Sequence, residues 1–107
     1  PKMELEVYWL EFAENKLEDI YGYYSIKASK RVAENLINGI VDATIGIEKQ
    51  PEIGQIEIKL KQKKQEFRYL VFKNYKIVYW INYDFNRIEI VNVFDTRQDP
   101  EKINEIK

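Results

Sequence analysis

Between residues 66 and 97 the chain holds three runs of β-branched and aromatic residues, 66–73, 76–83 and 87–95, separated by short polar gaps. Nothing else in the sequence restricts the fold so tightly. Each run has the length and composition of a strand, and each gap has room only for a turn, so the three read as an antiparallel meander. Asn74 lies in the first connection and Asp84, Phe85 and Asn86 form the second; Asn and Asp tolerate turn geometry. Side chains alternate along a strand, so Arg68 shares a face with Leu70 and Phe72. A three-residue loop pairs Phe72 with Lys76 and Arg68 with Trp80, which brings Lys76 to that same face. A two-residue loop sends Lys76 to the other side, because a slip of one residue inverts the alternation. The three-residue loop is the expected register.

The upstream half supplies material to cover such a sheet. Leu5 and Val7 alternate with acidic residues, a short strand signal over 4–8. From Trp9 or Leu10 the period changes: Leu10, Ala13, Leu17, Ile20, Tyr21 and Tyr24 form one helical stripe. Ser29 is a good N-cap for a second helix, expected over 30–49, with Val32, Ala33, Leu36, Ile37, Ile40, Val41, Thr44 and Ile47 along its apolar face. Gln50-Pro51 closes it, since a residue before proline is pushed out of the α region. Ile56, Ile58 and Leu60 alternate with charged residues and suit a ragged edge strand. Residues 61–65 read as an exposed, mobile loop. Asp99-Pro100 reads as a cap with proline at the first helical position, opening a short final helix. The expected fold is therefore α+β: an N-terminal strand, an antiparallel two-helix hairpin and a mainly antiparallel sheet of about four strands, in one domain over 1–107.

Composition matters here for what it removes. The chain has no histidine and no cysteine, which takes away the commonest general base, the commonest metal ligand, any thiol nucleophile and any disulfide framework. No cofactor and no metal site is expected. No 18-residue apolar run and no basic-then-apolar leader pattern occurs, so the expected setting is cytoplasmic, with no membrane partner. Net charge is −1, yet it is unevenly spread. Residues 1–25 carry two basic and six acidic side chains, whereas residues 59–76 carry seven basic and one acidic. That basic segment suits either an edge facing a polyanion or a solvated loop.

Three groups of residues have a familiar look together. The first helix carries Ala13, Leu17, Ile20 and Tyr24; the hairpin carries Arg68-Tyr69-Leu70 and then Asn74-Tyr75-Lys76-Ile77-Val78-Tyr79; the end carries Phe94-Asp95-Thr96-Arg97-Gln98-Asp99-Pro100. In order and spacing, across nearly the whole chain, they resemble the RelE/ParE family of type II toxin–antitoxin toxins (plasmid stabilisation proteins). The resemblance implies a compact growth-inhibiting toxin held in a hetero-oligomer by a cognate antitoxin, whose C-terminal segment wraps over it. Two mechanisms occur in the family: RelE-like members cleave mRNA on the ribosome, and ParE-like members poison DNA gyrase without nuclease activity.

Cleavage through the ribose 2′-OH needs a base, positive charge for the phosphorane and an acid for the leaving oxygen. Aligned by motif, Arg68 stands where a RelE-like site has its first lysine, and Lys76 and Arg97 where it has its two arginines. Leu70 takes the place of the second lysine, and Ile103 falls near that of the C-terminal tyrosine. Arg68, Lys76 and Arg97 are thus the candidate site, as phosphate-binding or target-contacting charge. An evident proton-transfer pair is missing: Arg68 stays protonated and cannot be a base, and no spacing selects among Tyr69, Tyr75, Tyr79, Tyr83 and Glu66. The same cations also admit purely structural roles, Arg68 pairing with Glu66 or Glu89, Arg97 with Asp95 or Asp99, and Lys76 guarding the hairpin edge. The reading leans to ParE-like gyrase poisoning. Its alternatives are a RelE-like ribosome-dependent endoribonuclease and a non-toxic RNA- or protein-binding module on the same scaffold.

Overall fold

The computed structural model describes residues 4–60 and 63–104. Five strands form one mixed sheet: β1 (Glu6–Trp9), β2 (Gln55–Ile56), β3 (Arg68–Phe72), β4 (Tyr75–Asn82) and β5 (Arg87–Asp95), in the spatial order β1-β5-β4-β3-β2. The meander β3-β4-β5 is antiparallel as expected, and β2 adds to it antiparallel. The expectation of about four mainly antiparallel strands needs correction on two points. A fifth strand exists, and β1 pairs parallel to β5, with Glu6 opposite Arg87 and Trp9 opposite Ile90. Alternation reveals that a segment is a strand; its direction follows from sequence only where a short turn joins it to its partner, and β1 meets β5 from the far end of the chain.

Helices α1 (Glu11–Lys27) and α2 (Lys30–Asp42) pack on one face of the sheet. Ser29 caps α2 as anticipated, its Oγ accepting the Val32 N–H at 3.1 Å. The second helix stops at Asp42 rather than running to 49. From there the chain descends through i→i−3 turns, with Thr44 N–H bonded to Val41 O and Ile47 N–H to Thr44 O, and Gly46 adopts φ +90°. That conformation is open to glycine and ends a right-handed helix. Ile47 is nonetheless buried, so the apolar period outlasted the helix: it reports burial, not hydrogen bonding. Gly39 marks a close approach, for a Cβ there would stand 2.1 Å from Phe72 Cζ.

The core on the helix face contains Ala13, Ile40, Ile47, Tyr75, Ile77, Tyr79, Ile88, Ile90 and Val93. A second core on the opposite face, made by Leu60, Phe67, Val78, Val91, Phe94 and Ile103, lies under two 3₁₀ turns, Ile58–Leu60 and Pro100–Asn104. The edge strand expected across Ile56, Ile58 and Leu60 is thus only two residues long, Gln55–Ile56, before the chain turns. The anticipated final helix is the second of these 3₁₀ turns, capped by Asp99, whose Oδ1 accepts the Glu101 N–H at 3.0 Å. Of the loop read over 61–65, residues 61–62 lie outside the described residues, and 63–65 are exposed. No described helix is long and apolar enough to cross a membrane.

Two departures from simple alternation place the cations. Phe72 pairs with Tyr75 and Arg68 with Tyr79, so the first hairpin loop has two residues, with Lys73 at φ +52°. The three-residue register is therefore overturned, and Lys76 lies on the face away from Arg68. A hairpin of two residues needs positive φ at its first loop position to match strand twist, and this chain accepts that conformation on a lysine. Further on, Tyr79 pairs with Ile90 but Val78 with Asn92, leaving Val91 as the extra residue of a β-bulge. The bulge shifts the alternation of β5 by one. Val93 and Asp95, not Asn92 and Phe94, consequently follow Ile88 and Ile90 onto the helix face.

Candidate functional site

The three candidate cations are not brought together. Arg68 projects on the helix face toward the segment before β2. Its Nη1 donates to Glu52 O at 3.1 Å and Gly54 O at 2.9 Å, and its Nη2 to Glu66 Oε2 at 3.2 Å, with Glu52 Oε2 at 3.7 Å. Only 16% of the side chain is exposed. Tyr79, its cross-strand partner, donates its hydroxyl to Pro51 O at 2.7 Å and accepts the Gly54 N–H at 2.9 Å. Arg68 and Tyr79 together pin residues 51–54 to the sheet. Glu66 is one of the two partners anticipated for Arg68; Glu89 instead holds Arg87.

Lys76 stands on the opposite face. Its Nζ lies 2.6 Å from Glu57 Oε2 and 4.3 Å from the centre of the Tyr69 ring, and the Glu57 side chain is 1% exposed. Glu57 Oε1 also accepts the Lys59 N–H at 3.2 Å. A buried carboxylate without its cation would carry a severe desolvation penalty, so Lys76 is committed to it. The alternating Ile56, Ile58 and Leu60 carry the strand pattern in the sequence, while Glu57 between them, the residue that claims Lys76, has no signal of its own.

Arg97 is the exception. It follows β5 on the helix side, and Asp95, which holds it, already lies four strand residues from the level of Arg68, roughly 13 Å along the strand direction. Its backbone N–H donates to Asp95 Oδ1 at 2.9 Å, its Nε to the same oxygen at 3.0 Å and its Nη2 to Asp95 Oδ2 at 2.8 Å. Nη2 also donates to the Tyr24 hydroxyl at 3.2 Å. Nη1 has no hydrogen-bond partner among the described residues, and the side chain is 60% exposed. Asn74 Nδ2 donates to Asp95 Oδ1 at 3.1 Å, tying the first hairpin to this pair.

Around Arg97 a cleft of about 430 Å³ opens between α1 and the ends of β4 and β5, lined by Lys16, Ile20, Tyr23, Tyr24, Tyr75 and Asp95 among others. Its groups perturb one another. The Arg97 guanidinium, with lesser help from burial-opposing hydrogen bonds of Arg97 N–H and Asn74, holds the Asp95 carboxyl at about 2. Asp95, followed by Tyr24, raises Arg97. The hydrogen bond from Arg97 first, and the neighbouring Tyr75 hydroxyl second, lower the Tyr24 phenol, while burial first and Tyr24 second push Tyr75 up to about 12. Asp95 was a foreseen partner of Arg97. The sequence presents Tyr24 as part of the apolar stripe of the first helix; its place at the end of that stripe, where the helix leaves the core, is the one signal of a different role. Among the described residues no group of three or more His, Cys, Asp or Glu side chains could hold a metal ion.

The family model for the ParE toxin of the type II toxin–antitoxin system parDE matches residues 7–100. The chain belongs to the ParE toxin family. No curated protein matches it. Among solved structures it is similar to a chain of the chromosomal ParDE toxin–antitoxin system from P. aeruginosa, at 15% identity, over 86% of this chain and 96% of that one, with a TM-score of 0.72. At that identity the likeness establishes the fold: two helices against a five-stranded mixed sheet. The family carries the rest of the assignment, a toxin of a type II toxin–antitoxin system.

Proposed function

We propose that this ParE-family chain inhibits growth by poisoning DNA gyrase, without nuclease activity, and that a cognate antitoxin neutralises it in a hetero-oligomer. The observation that carries this reading is the dispersal of the three cations. Arg68 is spent on main-chain carbonyls and two glutamates, and Lys76 on buried Glu57 across the sheet. A 2′-OH cleavage site needs charge and a proton-transfer pair converging on one phosphate, and these groups do not converge. Arg97, with Nη1 unused at the mouth of a cleft, is the contact residue assigned here, presenting a guanidinium edge to an anionic group of the target or of the antitoxin. Arg68 and Lys76 serve the scaffold.

The RelE-like reading keeps one observation in its favour. Tyr24, its phenol lowered beside Arg97, is a group able to take up or release a proton next to a cation. Two assays separate the readings. Purified protein added to gyrase, ATP and supercoiled plasmid should yield linear DNA trapped by denaturant, and primer extension on message from arrested cells should show no codon-associated cuts. Cuts that vanish with Tyr24→Phe would establish the nuclease instead. Expression without any growth arrest would favour the non-toxic binding module. Arg97→Ala should reduce gyrase poisoning at least tenfold; full potency would remove Arg97 from the site.

A further inference from the structure

On the face away from the helices, at the end of the sheet near the β4–β5 turn, an arginine is held by aromatic rings. The Arg87 guanidinium carbon lies 4.1 Å from the centre of the Tyr8 ring and 5.2 Å from that of Phe85. Its Nε donates to Glu89 Oε2 at 2.8 Å. Glu89 is a buried residue that also accepts Trp80 Nε1–H at 3.0 Å and Asn82 Nδ2–H at 3.1 Å. The charge of Arg87 is thereby matched by Glu89, and the pair leaves no net charge behind.

The surroundings do carry one. Glu6 is opposite Arg87 in the β1–β5 register and outward-facing, and no ion pair within the described residues engages it. Glu6, Arg87 and Glu89 together therefore bear a net negative charge. The two rings remain open as well: Phe85 is 68% and Tyr8 46% exposed. A ring has two faces, each negative at its centre, and Arg87 covers one of each. Side chains of this size so far out of the core, beside an uncompensated carboxylate, form a surface for a cation and repel an anion.

We infer that Glu6, Tyr8 and Phe85 form a docking surface for a lysine- or arginine-bearing segment of a partner protein. The incoming cation stacks on the open ring faces as Arg87 does on the inner ones, and its charge is met by Glu6. The surface lies on the face away from Arg97 and its cleft, so the inference does not depend on how the toxin acts.

Titration of ¹⁵N-labelled protein with acetylated, amidated hexalysine and hexaarginine tests it. Shift changes should centre on the amides of residues 6–8 and 85–87, and hexaglutamate or a ten-residue oligothymidylate should produce none there. Phe85→Ala and the isosteric Glu6→Gln, both at exposed positions, should each weaken binding at least fivefold while the rest of the spectrum is retained. The inference is overturned if the basic peptides do not bind up to millimolar concentration, if their shifts map elsewhere, if both variants bind as tightly as the parent, or if the polyanions produce the shifts.

Discussion

A lysine and a glutamate on the face away from the helices show what a single residue does in this fold. Lys76 and Glu57 join β4 to the segment that follows β2, with Glu57 almost wholly buried. Removing one member of such a pair strands the other, so Lys76→Ala should cost about 3–5 kcal/mol in chemical denaturation. A Lys76→Met/Glu57→Leu double variant should recover most of that loss, because replacing both partners removes the desolvation penalty too. Lys73 offers the opposite case. Its φ of +52° is a conformation that side chains other than Gly and Asn resist, and Lys73→Gly should stabilise the protein by about 1 kcal/mol. Tyr24 adds a spectroscopic readout. Its phenol is lowered by Arg97, so in an ultraviolet titration it should ionise earlier in the parent than in Arg97→Ala; identical curves would detach the two groups. None of these roles is written in a residue's own neighbourhood. Glu57 sits 19 positions from Lys76, and Tyr24 sits 73 from Arg97.

At the scale of elements, the strands and helices were legible because each buries a face, and burial leaves a period in the sequence. Their ends and offsets were less so. The stripe over 30–49 continued through Ile47 although the helix stopped at Asp42, since a turn of 3₁₀ character followed by a left-handed glycine also returns a side chain to the core. Gly46→Ala, at φ +90°, should destabilise by about 1–2 kcal/mol through backbone strain alone. The second 3₁₀ turn rests on one anchor. Ile103 is buried against Leu60, Val91 and Phe94, and Ile103→Ala should cost about 2–5 kcal/mol in thermal or chemical unfolding. An unchanged midpoint would mean that this cover is dispensable.

For the whole molecule, the sheet divides the protein into two sides with separate tasks. On the helix side the bulge at Val91 turns Asp95 toward α1, and Asp95 in turn holds Arg97 at the cleft. On the other side the 3₁₀ turns and the Lys76–Glu57 pair seal a second core, leaving the Tyr8–Phe85 end open. Acid should weaken the fold through the Asp95–Arg97 pair. Asp95 falls from an ordinary 3.8 to about 2 on folding, so its contribution is complete above the unfolded value and is lost as pH drops from about 4 through about 2. Asp95→Asn should flatten the stability profile in that window, measured by denaturant midpoints between pH 5 and 2, and leave it unchanged near neutrality in slope.

The family was legible as a resemblance in motifs such as Arg68-Tyr69-Leu70 and Phe94 to Pro100, while apolar periodicity, read with turn residues and caps, was enough to determine the meander and both helices. These are properties that neighbours in sequence impose through burial and backbone preference. Tertiary structure alone decided the direction of β1, the face that carries Lys76, and which carboxylate each cation meets. A hairpin register turns on one residue of loop length, and an ion pair on where distant segments come to rest; neither leaves a repeating mark in the sequence.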